Sequence, residues 1–336
     1  MKIKALRHAS LGWAITIFLA ACAGRPIPAG VPSAAQRLVA GITQNDRNRS
    51  STLTDVTEGD LLYVVNPSTV TMYSYPNARV VGTLDGFYFP GICAGNGGDI
   101  FITNYPPGRI SKYAHGGRKP IEELKPSKYV GLGSCAVDPT TGDLAVTGSL
   151  PRVDVFRNAR GKPRLYIGSH FFMIAGCTYD DAGNLFVGGL SKHQDGHGRH
   201  KPMYAELHKG TNSFVNVTLQ GVVNPDFIFQ WHGKYLALQG YLPTKGSQYA
   251  PVIYQVAIRG TTGVKVGTTI LGTPASNAHQ FAILGGTVVF PNWYYLKGTE
   301  KFNVLFYDYP SGGPPTKILV PHFSNPYGAA ISVARR

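Results

Sequence analysis

Short segments of alternating apolar and polar residues, separated by turn residues, recur along most of the chain. Three of them share a glycine followed by Asp or Asn and then an apolar run, at Gly98-Asp99, Gly142-Asp143 and Gly183-Asn184. A turn of this kind between two apolar segments is typical of a β-hairpin. The pattern therefore predicts an all-β chain with negligible helix.

These hairpins repeat at a fixed interval. Cys93, Cys135 and Cys177 each precede one of the three turns, and successive cysteines are 42 residues apart. A period of this size is typical of a β-propeller or another repeat array. Weaker copies begin at Phe227 and Gln280, and two further alternating segments follow each hairpin. Four strands per unit is the composition of a propeller blade.

The two ends of the repeat region complete the count of blades. Three strands precede the first full unit, at Leu61–Val65, Thr69–Tyr75 and Val80–Leu84, and one strand, Tyr327–Val333, follows the last. We therefore predict a six-bladed β-propeller over residues 57–336, closed by the C-terminal strand joining the N-terminal blade. Such closure leaves no unpaired edge at the joint.

One turn carries a resemblance to a known family. The run Asp180-Asp181-Ala182-Gly183-Asn184-Leu185-Phe186-Val187 resembles the D-x-x-G-N-L turn of NHL-repeat and regucalcin/gluconolactonase-type propellers. The resemblance covers most of residues 61–333 and implies an alternative function, a lactonase or hydrolase that depends on calcium or another divalent metal. Family members hold this metal with a glutamate that begins an inner strand. None of the five glutamates of this chain does so by the predicted strands, whereas Asp226 does.

The N-terminal segment predicts export. Lys2, Lys4 and Arg7 precede the apolar stretch Leu11–Ala21, whose 11 residues are too few to cross a hydrocarbon core that needs roughly 20. Its end, Leu19-Ala20-Ala21-Cys22, resembles a bacterial lipobox, which implies a signal peptide over residues 1–21, lipidation of Cys22 and, with alanine next, the outer membrane of a bacterial envelope. An ordinary signal peptide is the alternative. Residues 22–56 read as a flexible tether.

The charge and the known motifs limit the function. The net charge of +14 becomes +11 once the three cations of residues 1–21 are removed, which favours anionic partners. No basic run is interleaved with aromatic residues, so we do not expect a nucleic-acid partner. Neither H-E-x-x-H, G-x-S-x-G, a Walker loop nor C-x-x-C occurs. We therefore expect a binding protein without assigned catalysis or cofactor.

The three repeated cysteines are predicted to be buried, reduced thiols. Facing sheets lie about 10 Å apart, and a disulfide needs Cα atoms within about 7 Å. A site with three thiolates on a metal is the alternative, but the alternating neighbours of the cysteines offer no further ligands.

One face of the predicted propeller collects residues suited to binding. Long loops are predicted at residues 191–202, 240–251 and 293–302, and long loops on a rigid scaffold often carry function. The candidate ligand-binding residues at this face are His170, Asp226, Tyr241, His279, Trp293, Tyr294, His322, Asn66 and Asn104. Aromatic faces with amide and imidazole groups suit a sugar, a peptidoglycan fragment or a partner protein. The alternatives are that these aromatics fill gaps between blades, or that the protein is a scaffold in an envelope complex.

The first of these loops contains three histidines. His193, His197 and His200 could together bind zinc or copper. The loop is rich in glycine and no helix fixes their spacing, so a solvated loop is the favoured interpretation.

Overall fold

The structure is a computed structural model that describes residues 58–88, 91–104, 108–127, 132–243, 249–272, 280–296, 299–321 and 325–335. The predicted signal peptide, the tether and Cys22 lie outside these residues, as do His279 and His322. Among the described residues, no helix has the length and the apolar character needed to cross a membrane.

The described residues form β-strands joined by turns. In chain order the strands are β1 (Leu61–Val65), β2 (Thr69–Ser74), β3 (Val80–Asp85), β4 (Gly91–Ala94), β5 (Ile100–Asn104), β6 (Arg109–Tyr113), β7 (Glu122–Leu124), β8 (Leu132–Val137), β9 (Leu144–Gly148), β10 (Arg152–Phe156), β11 (Arg164–Ile167), β12 (Phe171–Tyr179), β13 (Leu185–Gln194), β14 (His200–Leu207), β15 (Val215–Gln220), β16 (Pro225–His232), β17 (Tyr235–Pro243), β18 (Tyr249–Arg259), β19 (Thr262–Ile270), β20 (Ala282–Leu284), β21 (Thr287–Leu296), β22 (Thr299–Asp308), β23 (Lys317–Leu319) and β24 (Gly328–Ser332). The one helical element among them is a 3-10 turn at Arg157–Ala159. The prediction of an all-β chain is confirmed.

The strands fall into sets of four antiparallel neighbours. Set 1 has the order β24-β1-β2-β3, and sets 2 and 3 hold β4 to β7 and β8 to β11. Sets 4 and 5, β12 to β15 and β16 to β19, merge into one eight-stranded sheet through a parallel pairing of β15 with β19. Set 6 holds β20 to β23. The merged sheet is a feature that the repeat did not predict.

The last strand pairs with the first. Strand β24 lies antiparallel to β1, with Gly328 opposite Val65 and Ser332 opposite Leu61. The predicted pairing of the C-terminal strand with Leu61–Val65 is therefore confirmed. Both ends of the described chain are held in one sheet.

The first strands of the six sets contact one another in a closed series. Strand β24 contacts β4, and the series continues through β8, β12, β16 and β20 back to β24. Two glutamine side chains add hydrogen bonds within this series where the strands are short. The Gln230 side chain bonds both backbone groups of Ile283, and the Gln280 side chain bonds both backbone groups of Ile92.

The antiparallel order gives the assembly two distinct ends. At the crossover end, first and third strands begin and second and fourth strands end. At the turn end, turns join first to second strands in sets 2 to 6 and third to fourth strands in all six sets. Hydrogen bonds align the sets at both ends, since Thr147 Oγ1 donates to Ala175 O (2.8 Å) at the crossover end and Asn96 Nδ2 donates to Pro139 O (2.8 Å) at the turn end.

The arrangement of the first strands corrects the prediction for two of the thiols. Cys93 of β4 and Cys135 of β8 form a disulfide, with 5.6 Å between their Cα atoms. The expectation of reduced thiols assumed the spacing of stacked sheets, but neighbouring first strands lie closer. A Cβ atom on Gly91 would collide with the carbonyl oxygen of Gly133, so glycine is required at this approach.

The third cysteine behaves as predicted. Cys177 of β12 is a free thiol and is buried between sets 3 and 4. Burial raises the pKa of the Cys177 thiol to about 12, which keeps it protonated and slow to react.

Candidate functional site

The crossover end gathers several of the predicted site residues. His170 precedes β12, and Asp226 is the second residue of β16. Tyr241 and Trp293 lie near the ends of β17 and β21, Asn66 directly follows β1, and Asn104 ends β5. Backbone hydrogen bonds connect the segments that cross from one set to the next with the second strands. For example, Lys192 N donates to His170 O (2.7 Å). The side chains of His279, Tyr294 and His322 lie outside what the structure describes.

The two asparagines hold turns. Asn66 Oδ1 accepts hydrogen bonds from the backbone N–H groups of Ser68 and Thr69. Asn104 Oδ1 accepts the N–H of Tyr88 (2.7 Å), and its Nδ2 donates to Gly86 O (3.3 Å). Both side chains are buried. Their role in the structure is to fix the backbone of the crossover end.

Asp226 sits in an irregular stretch of its strand. Three residues, Asp226–Ile228, lie opposite the single residue Gln239 of β17, which makes a wide bulge. Bulges of this kind re-aim side chains and are common beside functional sites. The backbone oxygen of Asp226 accepts a hydrogen bond from Tyr204 Oη (2.6 Å), which joins the bulge to set 4.

The carboxylate of Asp226 has little compensation for its burial. It accepts one described hydrogen bond, from the N–H of Phe227 (2.7 Å), and none of the ion pairs among the described residues includes it. Burial raises the pKa of this carboxyl above its usual range, although the Phe227 N–H opposes the shift. A buried anion without a cation costs free energy unless a bound group supplies donors.

Gln239 adds a second acceptor. Its side chain is 0% exposed, its Nε2 donates to Tyr241 Oη (2.8 Å), and its Oε1 has no hydrogen-bond partner among the described residues. Burial, followed by the charge of Asp226, raises the pKa of Tyr241 to about 12. Gln239 was not predicted from the sequence, although a glutamine inside the apolar strand Tyr235–Pro243 is a recognisable signal.

Exposed aromatic rings lie at the same end. Among the described residues, the exposed Phe, Tyr and Trp side chains are Tyr88 (51%), Phe172 (53%) and Tyr249 (49%). All three stand at crossings between sets or at the tip of a second-to-third-strand hairpin. The ring of Phe172 stacks on His200, with 4.2 Å between ring centroids. These three exposed rings are not explained by the alternative that the aromatic residues only fill gaps between sheets.

The three long loops predicted at this end are largely strands. Residues 185–194 and 200–207 continue as paired β13 and β14, with Gln194 opposite His200. Strands β17 and β18 pair as far as Pro243 and Tyr249, and β21 and β22 as far as Leu296 and Thr299. Extended hairpins rather than loops therefore project from sets 4, 5 and 6.

In the first hairpin, the structure does not bring His193, His197 and His200 together as the alternative of a metal site would require. The described residues hold no group of three His, Cys, Asp or Glu side chains placed to share a metal ion. His200 Nδ1 bonds Ser191 O (2.7 Å), whereas His193 and His197 are exposed. Asp195 closes the turn, and the N–H groups of Arg199 and His197 lower the pKa of its carboxyl.

The part of the chain that the structure describes also offers no fitting set of ligands for the metal that the family resemblance implies. Asp226 and Gln239 offer two oxygens, and the buried amides of Asn66 and Asn104 hold turns. Calcium takes six to eight oxygen ligands. As predicted, none of the five glutamates begins a first strand: Glu122 and Glu123 lie in β7, Glu206 in β14, Glu300 in β22, and Glu58 precedes β1.

No protein-family model matches the chain, and no curated protein is detectably similar to it in sequence. Its site is therefore argued from the arrangement of its own residues.

Proposed function

We propose that the protein is an exported six-bladed β-propeller, held on a bacterial envelope by a lipid on Cys22, which binds a carbohydrate at its crossover end. The closed series of first strands supports the propeller. Six sets of four strands radiating from such a series is the arrangement of blades around a propeller axis. The resemblance of residues 180–187 to NHL-repeat and regucalcin-type turns agrees with this assignment.

The disulfide supports export. Disulfides persist in oxidising compartments such as the bacterial periplasm and are rare in the cytosol. The Cys93–Cys135 bond therefore agrees with the signal peptide predicted from residues 1–21. In a bacterial host, Cys22→Ser should prevent lipid attachment and release the protein from membranes, which fractionation and mass spectrometry can measure. Unchanged membrane retention would contradict the lipobox.

The observation that carries the carbohydrate proposal is the pairing of two kinds of group at one end. The half-buried Asp226 and the buried Gln239 supply acceptors whose described surroundings offer few donors. Tyr88, Phe172 and Tyr249 supply exposed aromatic faces. Sugars present hydroxyl donors along their edges and C–H groups on their faces, so acceptors and aromatic rings complement them. A peptidoglycan fragment is the carbohydrate that the proposed location favours.

The test is binding of the full chain to immobilised peptidoglycan fragments and neutral oligosaccharides. The best glycan is then titrated against Phe172→Ala, Tyr249→Ala and Asp226→Asn. We expect each aromatic variant to bind roughly two- to tenfold more weakly, the range for one stacked ring. The matched control is Ile318→Ala, an exposed apolar residue on the outer strand β23. Absence of glycan binding, or equal losses in the control, would overturn the proposal.

The lactonase alternative remains a separate prediction. Such an enzyme would depend on Asp226 and on a divalent metal, so lactone hydrolysis would disappear with a chelator and in Asp226→Ala. Turnover that survives both treatments would eliminate it.

A further inference from the structure

The turn that joins β10 to β11 carries an unusual concentration of positive charge. Arg157, Arg160, Lys162 and Arg164 lie within eight residues, together with no acidic residue, and all four are exposed. We call residues 157–164 the basic turn. The corresponding turns of the other sets carry at most two lysines or arginines in their described residues, and residues 309–316 carry none.

The charge of the basic turn is not neutralised within the protein. None of the ion pairs among the described residues involves its four cations. Arg164 bonds the neutral amide of Asn212 and lies over the ring of Tyr166. The nearby carboxylate of Asp143 accepts the backbone N–H of Asn158 (2.8 Å). The turn therefore presents free positive charge to an anionic partner.

Exposed apolar side chains adjoin this charge. Strand β11 is the outer edge of set 3, and its residue Leu165 (42% exposed) directly follows Arg164 near the turn end. On the neighbouring set, Ile121 (59% exposed) lies in the turn between β6 and β7, also at the turn end, shortly after the exposed cation Lys119. A polyanion in solution needs only the cations. Cations beside exposed apolar side chains are instead the pattern of segments that lie in the interface of an anionic membrane.

The path of the chain agrees with a membrane partner. The basic turn lies at the turn end, where β1 also begins. Hydrogen bonds run along this end, from His115 Nε2 to Gly59 O (2.9 Å), from Asn96 Nδ2 to Pro139 O (2.8 Å), and from Asn158 N to the Asp143 carboxylate. The residues that connect this domain to Cys22 therefore join it at the end that carries the basic turn.

We propose that the basic turn, with Leu165 and Ile121, docks the domain on an anionic membrane surface. Docking through the turn end leaves the crossover end, with Asp226 and the exposed aromatics, directed away from the lipid. The proposal does not depend on the carbohydrate site. It predicts a fixed orientation of the domain beyond that given by a tether alone.

The test uses the full chain carrying Cys22→Ser, so that no acyl group contributes. Co-sedimentation with vesicles of phosphatidylglycerol and phosphatidylcholine is compared with vesicles of phosphatidylcholine alone. The variant Arg157→Gln/Arg160→Gln/Lys162→Gln should bind the anionic vesicles roughly a hundredfold more weakly, from about fivefold per cation. The control Lys192→Gln/Lys201→Gln/Lys301→Gln removes equal charge from exposed residues of the hairpins at the crossover end and should bind within about threefold of wild type. Binding to phosphatidylcholine should not differ among the three, and it reports the residual contribution of residues 1–21.

A second pair of measurements separates a membrane from a soluble polyanion. Leu165→Gln/Ile121→Gln should weaken binding to anionic vesicles while leaving binding to polyphosphate unchanged. Melting temperatures close to that of the parent chain verify that each variant folds. Equal losses in both triple variants would overturn the proposal, because total charge rather than the basic turn would then explain binding. Unchanged vesicle binding in Leu165→Gln/Ile121→Gln would also overturn it, in favour of a polyanion site.

Discussion

At the scale of single residues, Asp226 is the side chain whose placement most clearly lowers the free energy of unfolding. Its folded-state pKa is raised by burial, so the folded protein binds this proton more readily than the unfolded chain. The unfolding free energy therefore falls as pH rises from the unfolded pKa, near 3.9, through the folded pKa. Asp226→Asn removes this titration and should therefore raise the free energy of unfolding at pH 7, with no difference from wild type at acidic pH.

Asp195 provides a control of opposite sign. Backbone N–H groups of Arg199 and His197 lower the pKa of its carboxyl, so its contribution to stability is present above the unfolded pKa and is lost as pH falls through the folded pKa. Asp195→Asn should therefore lower the melting temperature slightly at neutral pH and not in acid. Melting curves of both variants between pH 3 and pH 8 measure the two trends. Parallel pH dependence in wild type and Asp226→Asn would show that the carboxyl is not titrating in a buried site.

The disulfide gives a second prediction at this scale. Cys93→Ser/Cys135→Ser opens a loop of 42 residues and should lower the unfolding free energy by about 4 kcal/mol, the loop-closure value for that length. Cys177→Ala, a control at the third position of the same repeat, removes a small buried group and should cost about 1 kcal/mol. Urea unfolding measures both, and non-reducing peptide mapping should recover Cys93 and Cys135 joined. A map with three free thiols would contradict the bond.

These residues show which features of the structure could be predicted from the sequence and which could not. Asp226 was predicted because it precedes an apolar first strand, and the 42-residue interval correctly put the three cysteines at equivalent positions. The interval fixes register but not the distance between neighbouring strands, so the disulfide was missed. Gln239 was missed because nothing local indicates which residue opposes a bulge in another strand.

At the scale of elements, strand starts were predictable and strand ends were not. The glycine-containing turns at the turn end fix where second strands begin. At the crossover end, Gly196, Pro251 and several charges favoured loops, yet pairing continues to Gln194 and His200 in the first hairpin. Antiparallel pairing persists there because the two arms of a long hairpin satisfy each other's backbone groups, whatever side chains they carry.

The closing strand is the element with the clearest test. A chain that stops after Pro326 lacks β24, which exposes the edge of β1 and removes the contacts of the first-strand series with β4 and β20. We expect this variant to be insoluble or unfolded, since an unpaired apolar edge strand invites aggregation. Solubility and far-UV circular dichroism measure the outcome.

A matched truncation keeps the strand. Stopping after Val333 removes only residues 334–336, and with them the bonds from Ala334 N to Asp60 and from Arg335 to Gly97 O. This variant should fold with a modestly reduced melting temperature. A folded, soluble chain that stops after Pro326 would mean that β24 does not close the sheet.

At the scale of the whole molecule, a closed series of sheets should unfold as one unit. Open repeat arrays have terminal units with a single neighbour, and such units can unfold alone. Here each first strand contacts one on either side, the eight-stranded sheet joins sets 4 and 5, and β24 joins the two ends of the described chain. Opening any one set therefore breaks contacts on both flanks. We therefore expect a single cooperative unfolding transition despite the length of the domain.

Three measurements, two that report on particular sets and one that reports on all strands, can test whether the domain unfolds as one unit. Trp231 and Trp293 report on sets 5 and 6, in a Trp13→Phe background that removes the remaining tryptophan. Far-UV circular dichroism reports on all strands, and alkylation of Cys177, followed by mass spectrometry of its peptide, reports on set 4. In urea, fluorescence and circular dichroism should change together. The opening free energy from Cys177 labelling should equal the global value, because burial protects this thiol until its neighbours separate. Labelling of Cys177 at urea concentrations well below the fluorescence transition would show that set 4 opens alone, and the series of first strands would then not act as a closed ring.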